Sequence, residues 1–237
     1  VHVRGIISTD CSSIKSICKK KNIFLIEDAA HAHGSCLNKK MYAGTIGDIG
    51  CFSFYPTKVM TTGEGGMITT NNKKLYEKMN SFKNFGRGKN PNFINFLGSN
   101  SKISEFTAIF GLLELDRIDK RINKRKKLVK RYIKKLKNNN NYEVITQKKG
   151  KCSYYKCIIR TKLSSKIIEK HCKKNGIMLT GKVWDTPIHK QNVFHKYIKK
   201  NNLKNSEQFS TYHICPPNYP ELTYNEIDYV CSVLNDI

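Results

Sequence analysis

The chain has 237 residues, 39% of them hydrophobic, with 11 Phe, 12 Tyr and a single Trp, enough for a real core in one large domain or one and a half. Lys and Arg total 43 against 18 Asp and Glu, a net charge of +25. The basic residues are dispersed and travel with asparagine (K-K-K-N, N-N-K-K, K-N-N-N-N), so composition argues against nucleic acid as a partner despite the charge. Nine cysteines show no C-x-x-C spacing and no secretory signal precedes them, which reads as reduced core thiols in a cytoplasmic compartment. No apolar run reaches the ~18 residues of a transmembrane helix, so no membrane partner is expected. Val1-His-Val-Arg-Gly carries no initiator methionine, and the expectation is a fragment whose upstream part is missing.

In chain order, residues 1–7 read as a strand end. Helical periodicity (Ile14, Ile17, Cys18) follows Thr9-Asp10, a suitable N-cap. Residues 23–26 form a short apolar run ending in Glu27-Asp28, which predicts a buried parallel strand with acids at its carboxyl end. A small-residue turn over 29–34, strands over 49–55 and 67–70, and a helix over 73–84 come next. Residues 86–100 are rich in Gly, Asn and Pro and read as a loop. A long helix is expected from Ser104 to about Lys137, with a break near 115–118. Its dense lysines accompany Ile118, Ile122, Val129, Tyr132, Ile133 and Leu136 at helical spacing, so they are the wet face. After a linker at 138–141 come a strand (153–160), a helix (164–175) closed by Gly176, a strand (177–180) and a terminal helix (223–234). The fold class is therefore α/β over residues 1–115, followed by residues 116–237 as a connecting helix and a small α+β domain.

Lys58 stands apart from the other lysines. It follows an apolar run containing Ser53, a turn-forming Pro-Thr precedes it, and Gly-Glu-Gly-Gly follows. A lysine held at a strand end among small and apolar residues is a candidate Schiff-base amine, because desolvation favours the free amine. Asp28 lies where ligands bind in open α/β sheets. Together Lys58, Asp28 and Ser53 suit pyridoxal 5′-phosphate (PLP), which needs an amine for its aldehyde, a carboxylate for its pyridinium and donors for its phosphate. Taken singly, Asp28 is equally a helix cap and Ser53 a core hydroxyl. His31 and His33 lack a third ligand at metal spacing, so no metal is expected. The T-T-G-E-G-G segment lacks the lysine placement of a nucleotide phosphate loop and reads as a turn.

At these residues the chain resembles a known family. Glu27 to Gly34 (E-D-A-A-H-A-H-G) and Gly47 to Met67 (G-D-I-G-C-F-S-F-Y-P-T-K-V-M-T-T-G-E-G-G-M) are similar to the DegT/DnrJ/EryC1/StrS aminotransferases, PLP enzymes of fold type I that aminate nucleotide-linked keto-sugars. Gly98 to Phe106, Pro187 to Gln191 and Cys215 to Thr223 extend the resemblance along the chain. It implies a large mixed-sheet PLP domain lacking its N-terminal part over 1–115, and a small C-terminal domain. It implies that Lys58 is the catalytic amine and proton shuttle, that Asp28 pairs with the pyridinium, and that Ser53 binds the phosphate. His31 stands where the family usually has Gln near the ring hydroxyl. Asn100, with Lys102 beside it, would reach the phosphate of a second subunit's PLP in a homodimer. His189 would touch the nucleotide-sugar, and the loops over 87–99 and 186–196 would shape its site. The implied reaction moves an amino group, from glutamate, to a nucleotide-linked 4-keto-6-deoxyhexose for glycan or secondary-metabolite synthesis. The alternatives are a sugar dehydratase of the same family, against which Lys58 argues, and a non-catalytic basic polyanion-binding remnant.

Overall fold

A computed structural model describes residues 1–182, 184–194, 196–198 and 203–237. The chain divides into two compact units, residues 1–120 with 149–151, and residues 121–148 with 152–237.

In the first unit, α1 (Cys11–Lys20) leads to β1 (Ile26–Asp28). A small hairpin, β2 (Cys36–Asn38) with β3 (Met41–Tyr42), precedes β4 (Ile49–Ser53), β5 (Gly66–Thr69) and α2 (Lys73–Phe82). The sheet order is β1-β4-β5, with β1 parallel and β5 antiparallel to β4. The sheet is thus mixed. α2 starts where Asn72 Oδ1 accepts the Leu75 N–H at 3.2 Å, a side-chain N-cap. At α1 the Asp10 side chain makes no such bond.

β1 alternates. Glu27 and Ala29 are buried, while Ile26 and Asp28 face outward, Ile26 at 60% exposure. Ile23 and Phe24 are also exposed, which corrects the expected fully buried strand. The reason is position: β1 is the sheet's edge, and only its inner face meets the small core of Ile7, Ala29, Ala32, Ala43 and Ile46. That core is thin because the backbone itself comes close. A Cβ on Gly50 would lie 2.2 Å from the Gly44 carbonyl oxygen. Residues 1–7 form a short 3₁₀ turn (Val3–Gly5) rather than a strand end. Arg4 and Gly5 have φ of 58° and 93°, which no strand accommodates.

α3 (Glu105–Leu136) is continuous. The expected break at 115–118 is absent, since Leu-Asp-Arg-Ile holds neither Gly nor Pro to interrupt the backbone ladder.

In the second unit, β6 (Tyr142–Ile145), β7 (Ile158–Thr161) and β8 (His213–Ile214) form an antiparallel sheet in that order. α4 (Ser165–Lys174), α5 (Lys204–Thr211) and α6 (Tyr224–Asn235) complete the unit. Leu128, Val129, Tyr132 and Leu136 of α3 pack with Ile159, Ile168, Ile214, Ile227 and Leu234 in one core. The strand expected over 153–160 begins only at Ile158, because Tyr154 sits at φ 48°. Residues 177–180 join no sheet; Thr180 instead donates its N–H to the Cys215 carbonyl at 2.9 Å. None of the nine cysteines forms a disulfide, and six are buried. Among the described residues no helix is long and apolar enough to cross a membrane.

Candidate active site

The site grows out of the carboxyl end of β1 and the turn after β4. Asp28 pairs with Cys51 in the parallel ladder, and the Ala29 N–H continues it to the Cys51 carbonyl at 2.8 Å. The strand then turns, with Asp28 Oδ1 accepting the Ala30 N–H at 3.0 Å. This fixes the Asp28 side chain on the outward face. The adjacent Glu27 points inward and carries the local architecture. Its Oε1 accepts N–H groups from Ile46 and Gly47, each at 2.6 Å, and its Oε2 accepts from Gly44 at 2.9 Å. His2 Nε2 completes the set at 2.8 Å. Burial pushes the Glu27 carboxyl upward, but His2 and the three N–H groups outweigh it and hold the group below its ordinary value.

β4 delivers Ser53 at its last ladder position, opposite Gly66. Ser53 Oγ accepts the Tyr55 N–H at 3.3 Å, a turn that lifts the chain off the sheet. Residues 54–66 are then pinned from both sides. Phe54 N–H donates to Gly65, Thr62 N–H donates to Phe54, and Thr61 Oγ1 also bonds the Phe54 carbonyl at 2.9 Å. Lys58 donates its backbone N–H to Tyr55 within this turn and is followed by the buried Val59 and Met60. Its side chain is half-buried. Burial is the main cause of its lowered pKa, the Arg4 guanidinium adds to it, and Asp28 acts in the opposite sense. Lys58 and Asp28 are therefore close enough to feel one another, and the turn favours the free amine that a carbonyl attack requires.

Three groups here were not singled out for this chemistry by the sequence. Glu27 reads as an acid beside Asp28 until the strand alternation separates their faces. Arg4 is buried and reaches Lys58 by charge, yet only the R-G step before an apolar pair hints at its left-handed backbone. His33 is buried against Phe52 and Phe54, with ring centroids 5.3 and 5.9 Å away. Burial and the nearby Lys58 charge push its pKa down to about 4, so it stays neutral at ordinary pH. Neither of its ring nitrogens has a partner at hydrogen-bond geometry; the Ser53 backbone only weakly favours its protonation.

The remaining sequence candidates lie apart in character. His31 accepts the Arg4 N–H at Nδ1, at 3.3 Å. Asn100 is exposed and bridges Asn84, whose Oδ1 takes Lys102 Nζ at 3.0 Å. His189 belongs to the second unit, where its Nε2 meets Glu207 Oε1 at 2.9 Å. In the 186–196 loop, His195 lies outside the described residues. Among the described residues no cluster of three or more His, Cys, Asp or Glu could hold a metal ion.

Residues 1–235 match the sequence model of the DegT/DnrJ/EryC1/StrS aminotransferase family. The chain belongs to that family. It is 30% identical over 242 residues to GDP-perosamine synthase of Escherichia coli O157:H7, covering 100% of this chain and 64% of that protein. It is 31% identical over 239 residues to dTDP-4-amino-4,6-dideoxy-D-glucose transaminase of Shigella dysenteriae, covering 96% and 63%. The chain thus spans less than two-thirds of the length of these relatives. Its fold superposes on a DegT DnrJ EryC1 StrS aminotransferase from Brucella abortus with a TM-score of 0.92, at 23% identity, over 99% of this chain and 62% of that one. The mixed α/β architecture is that of the DegT/DnrJ/EryC1/StrS fold.

Proposed function

We propose that the chain is the PLP-binding and catalytic part of a nucleotide-sugar aminotransferase. The single observation that carries this is Lys58, a lysine in a pinned turn whose proton affinity is lowered while Asp28 faces the same region. The donor set fits PLP. Lys58 would hold the aldehyde, Asp28 the pyridinium, Ser53 Oγ a phosphate oxygen and His31 the ring hydroxyl. Bound PLP supplies an electron sink for proton removal next to the transferred nitrogen. Lys58 Nζ would take up and return that proton, a role that suits an amine whose proton affinity is lowered by burial. His33, held neutral, adds no further positive charge to the one that Arg4 already brings near Lys58. The relatives named GDP-perosamine synthase and dTDP-4-amino-4,6-dideoxy-D-glucose transaminase support a nucleotide-linked 4-keto-6-deoxyhexose as acceptor; the donor would be an amino acid, glutamate. Lys58 weighs against the dehydratase alternative. Residues 1–115 would belong to the large cofactor domain and 116–237 to the connecting helix and small domain, with His189 the candidate contact to the nucleotide-sugar.

We also place a second copy of the chain against the first half of α3. Phe106, Ile109, Phe110, Leu112 and Leu113 are 50–86% exposed there, a large apolar surface for a protein in water. Asn100 would then reach the partner's phosphate site. Nine cysteines outside any disulfide fit a reducing, cytoplasmic setting.

The test is a PLP titration followed by absorbance, with glutamate and a nucleotide-linked keto-sugar then added and the products weighed. A visible-edge band that is lost in Lys58→Ala, with an amino-sugar product, is expected. A chain that develops no band, or a band that persists without Lys58, sinks the reading.

A further inference from the structure

The turn at residues 3–5 uses its amides unevenly. Gly5 donates its N–H to His2 at 3.3 Å and Ile6 to Val3 at 3.1 Å, closing the 3₁₀ turn. The Arg4 N–H leaves this ladder and reaches His31 Nδ1 at 3.3 Å. Arg4 is not glycine, yet its backbone sits at φ 58°, ψ 20°. A non-glycine residue in that region is uncommon and needs surroundings that hold it there. Here the buried Arg4 side chain and the His2–Glu27 contact on the inner face of β1 supply them.

A neutral imidazole has one donor and one acceptor nitrogen, and the partner of one decides the role of the other. An N–H pointing at Nδ1 requires Nδ1 to be the acceptor. The proton then resides on Nε2, which becomes a donor. We propose that Arg4 is a positioning residue whose left-handed backbone locks His31 in the Nε2–H tautomer, so that the ring presents a donor and never a lone pair to an anionic ring oxygen of the cofactor. This rests on the PLP reading for the identity of the ligand, but not for the tautomer. It also gives a physical reason why a histidine can serve at this position. An imidazole free to choose its tautomer would spend part of its time with a lone pair against the oxygen, and the locked ring does not.

Two substitutions separate the backbone from the side chain. Arg4→Gly keeps the N–H and adopts positive φ without strain. Arg4→Val keeps the N–H but is β-branched, and positive φ is a genuine outlier for it, so the turn rearranges. The measurement is the ¹⁵N spectrum of histidine-labelled protein without cofactor, with His31 assigned by its loss in His31→Phe. A pyridine-type Nδ1 and a pyrrole-type Nε2 are expected in the wild type and in Arg4→Gly, and a mixed or inverted pattern in Arg4→Val. PLP affinity should fall about three- to tenfold in Arg4→Val, the range of one lost hydrogen bond. That loss should vanish when Arg4→Val is made in the His31→Phe background. A wild-type ring protonated on Nδ1, or a tautomer unmoved in Arg4→Val, overturns the proposal. If Arg4→Val does not fold, the wild-type spectrum alone still decides it. An Nε2–H ring in a protein that fails to bind PLP would leave the lock standing and sink the cofactor reading instead.

Discussion

Glu27→Gln tests whether an inward carboxylate builds this site. The native carboxylate accepts four hydrogen bonds, two at each oxygen: Ile46 and Gly47 at Oε1, and Gly44 and His2 at Oε2. Glutamine keeps the shape but has one acceptor oxygen. With that oxygen on Ile46 and Gly47, its NH₂ confronts the Gly44 N–H, while His2 can change tautomer and accept. One buried backbone donor is then orphaned, at about 1–3 kcal/mol, and the surviving bonds lose their charge assistance, at roughly 1 kcal/mol each. The expected loss is roughly 3–5 kcal/mol, or about 6–20 °C in Tm for a chain of this length. The pH dependence carries a sign. The folded-state pKa of Glu27 lies below the ordinary 4.5, so its stabilisation is complete above that value and is lost as pH falls through the folded pKa. Thermal melts of both proteins, at neutral pH and in steps below pH 4.5, should show a gap that narrows on acidification. A variant melting within about 2 °C of wild type, or a gap indifferent to acid, would refute the reasoning.

Other consequences are checked separately. Asp28→Asn removes the charge that partly restores Lys58's proton affinity, so the pH midpoint for amine labelling at Lys58, read by peptide mass, should move down; the half-exposed setting keeps this below about one unit. An upward shift would mean that Asp28 does not face Lys58. In α6, Thr223 Oγ1 accepts the Glu226 N–H and Glu226 Oε2 accepts the Thr223 N–H at 2.8 Å, so Thr223→Ala should cost about 1 kcal/mol in a urea melt. Gly50→Ala places a Cβ 2.2 Å from the Gly44 carbonyl and should abolish both the native melt and PLP binding; a native-like Tm would show that the loop yields. Lys58→Ala should leave the melt near wild type while removing the PLP band.

The sequence made the chemistry legible and the supporting geometry much less so. Lys58, Ser53 and Asp28 were recognisable because a reacting lysine, a strand-end acid and a hydroxyl at these spacings have few other common uses. α1, α2, α4 and α6 were legible because their apolar residues recur at the helical period and turn residues flank them. β8 and β3 are two residues long, too short for any period, and no pattern announced them. The backbone at Tyr154 and Arg4 was hidden because neither residue type signals positive φ, and tertiary contacts impose it. The break expected near 115–118 is absent from α3, whose apolar residues up to Leu115 are exposed on an unbroken helix.

Glu27 and Asp28 show how one dipeptide divides its labour. A strand sends successive side chains to opposite faces, so two adjacent acids cannot share a role. The inner one is surrounded by donors and is worth most as an anion that never leaves its ladder. The outer one must stay accessible; its Oδ1 accepts the Ala30 N–H in the strand turn, and among the described residues no side-chain partner is seen at its second oxygen, which suits a ligand. The same division recurs one strand away. Gly50, opposite Glu27, is where the backbones close up, and Cys51, opposite Asp28, lines the outward face. The outward face can therefore change its chemistry without loosening the fold only while the inward face is intact. This predicts an asymmetry between two mild changes. Asp28→Glu should retain the wild-type Tm and shift PLP affinity, whereas Glu27→Asp, one methylene short of the N–H groups at residues 44–47, should lower Tm and carry PLP affinity down with it. Equal melting temperatures for the two variants would mean that the inner carboxylate does not hold the site together.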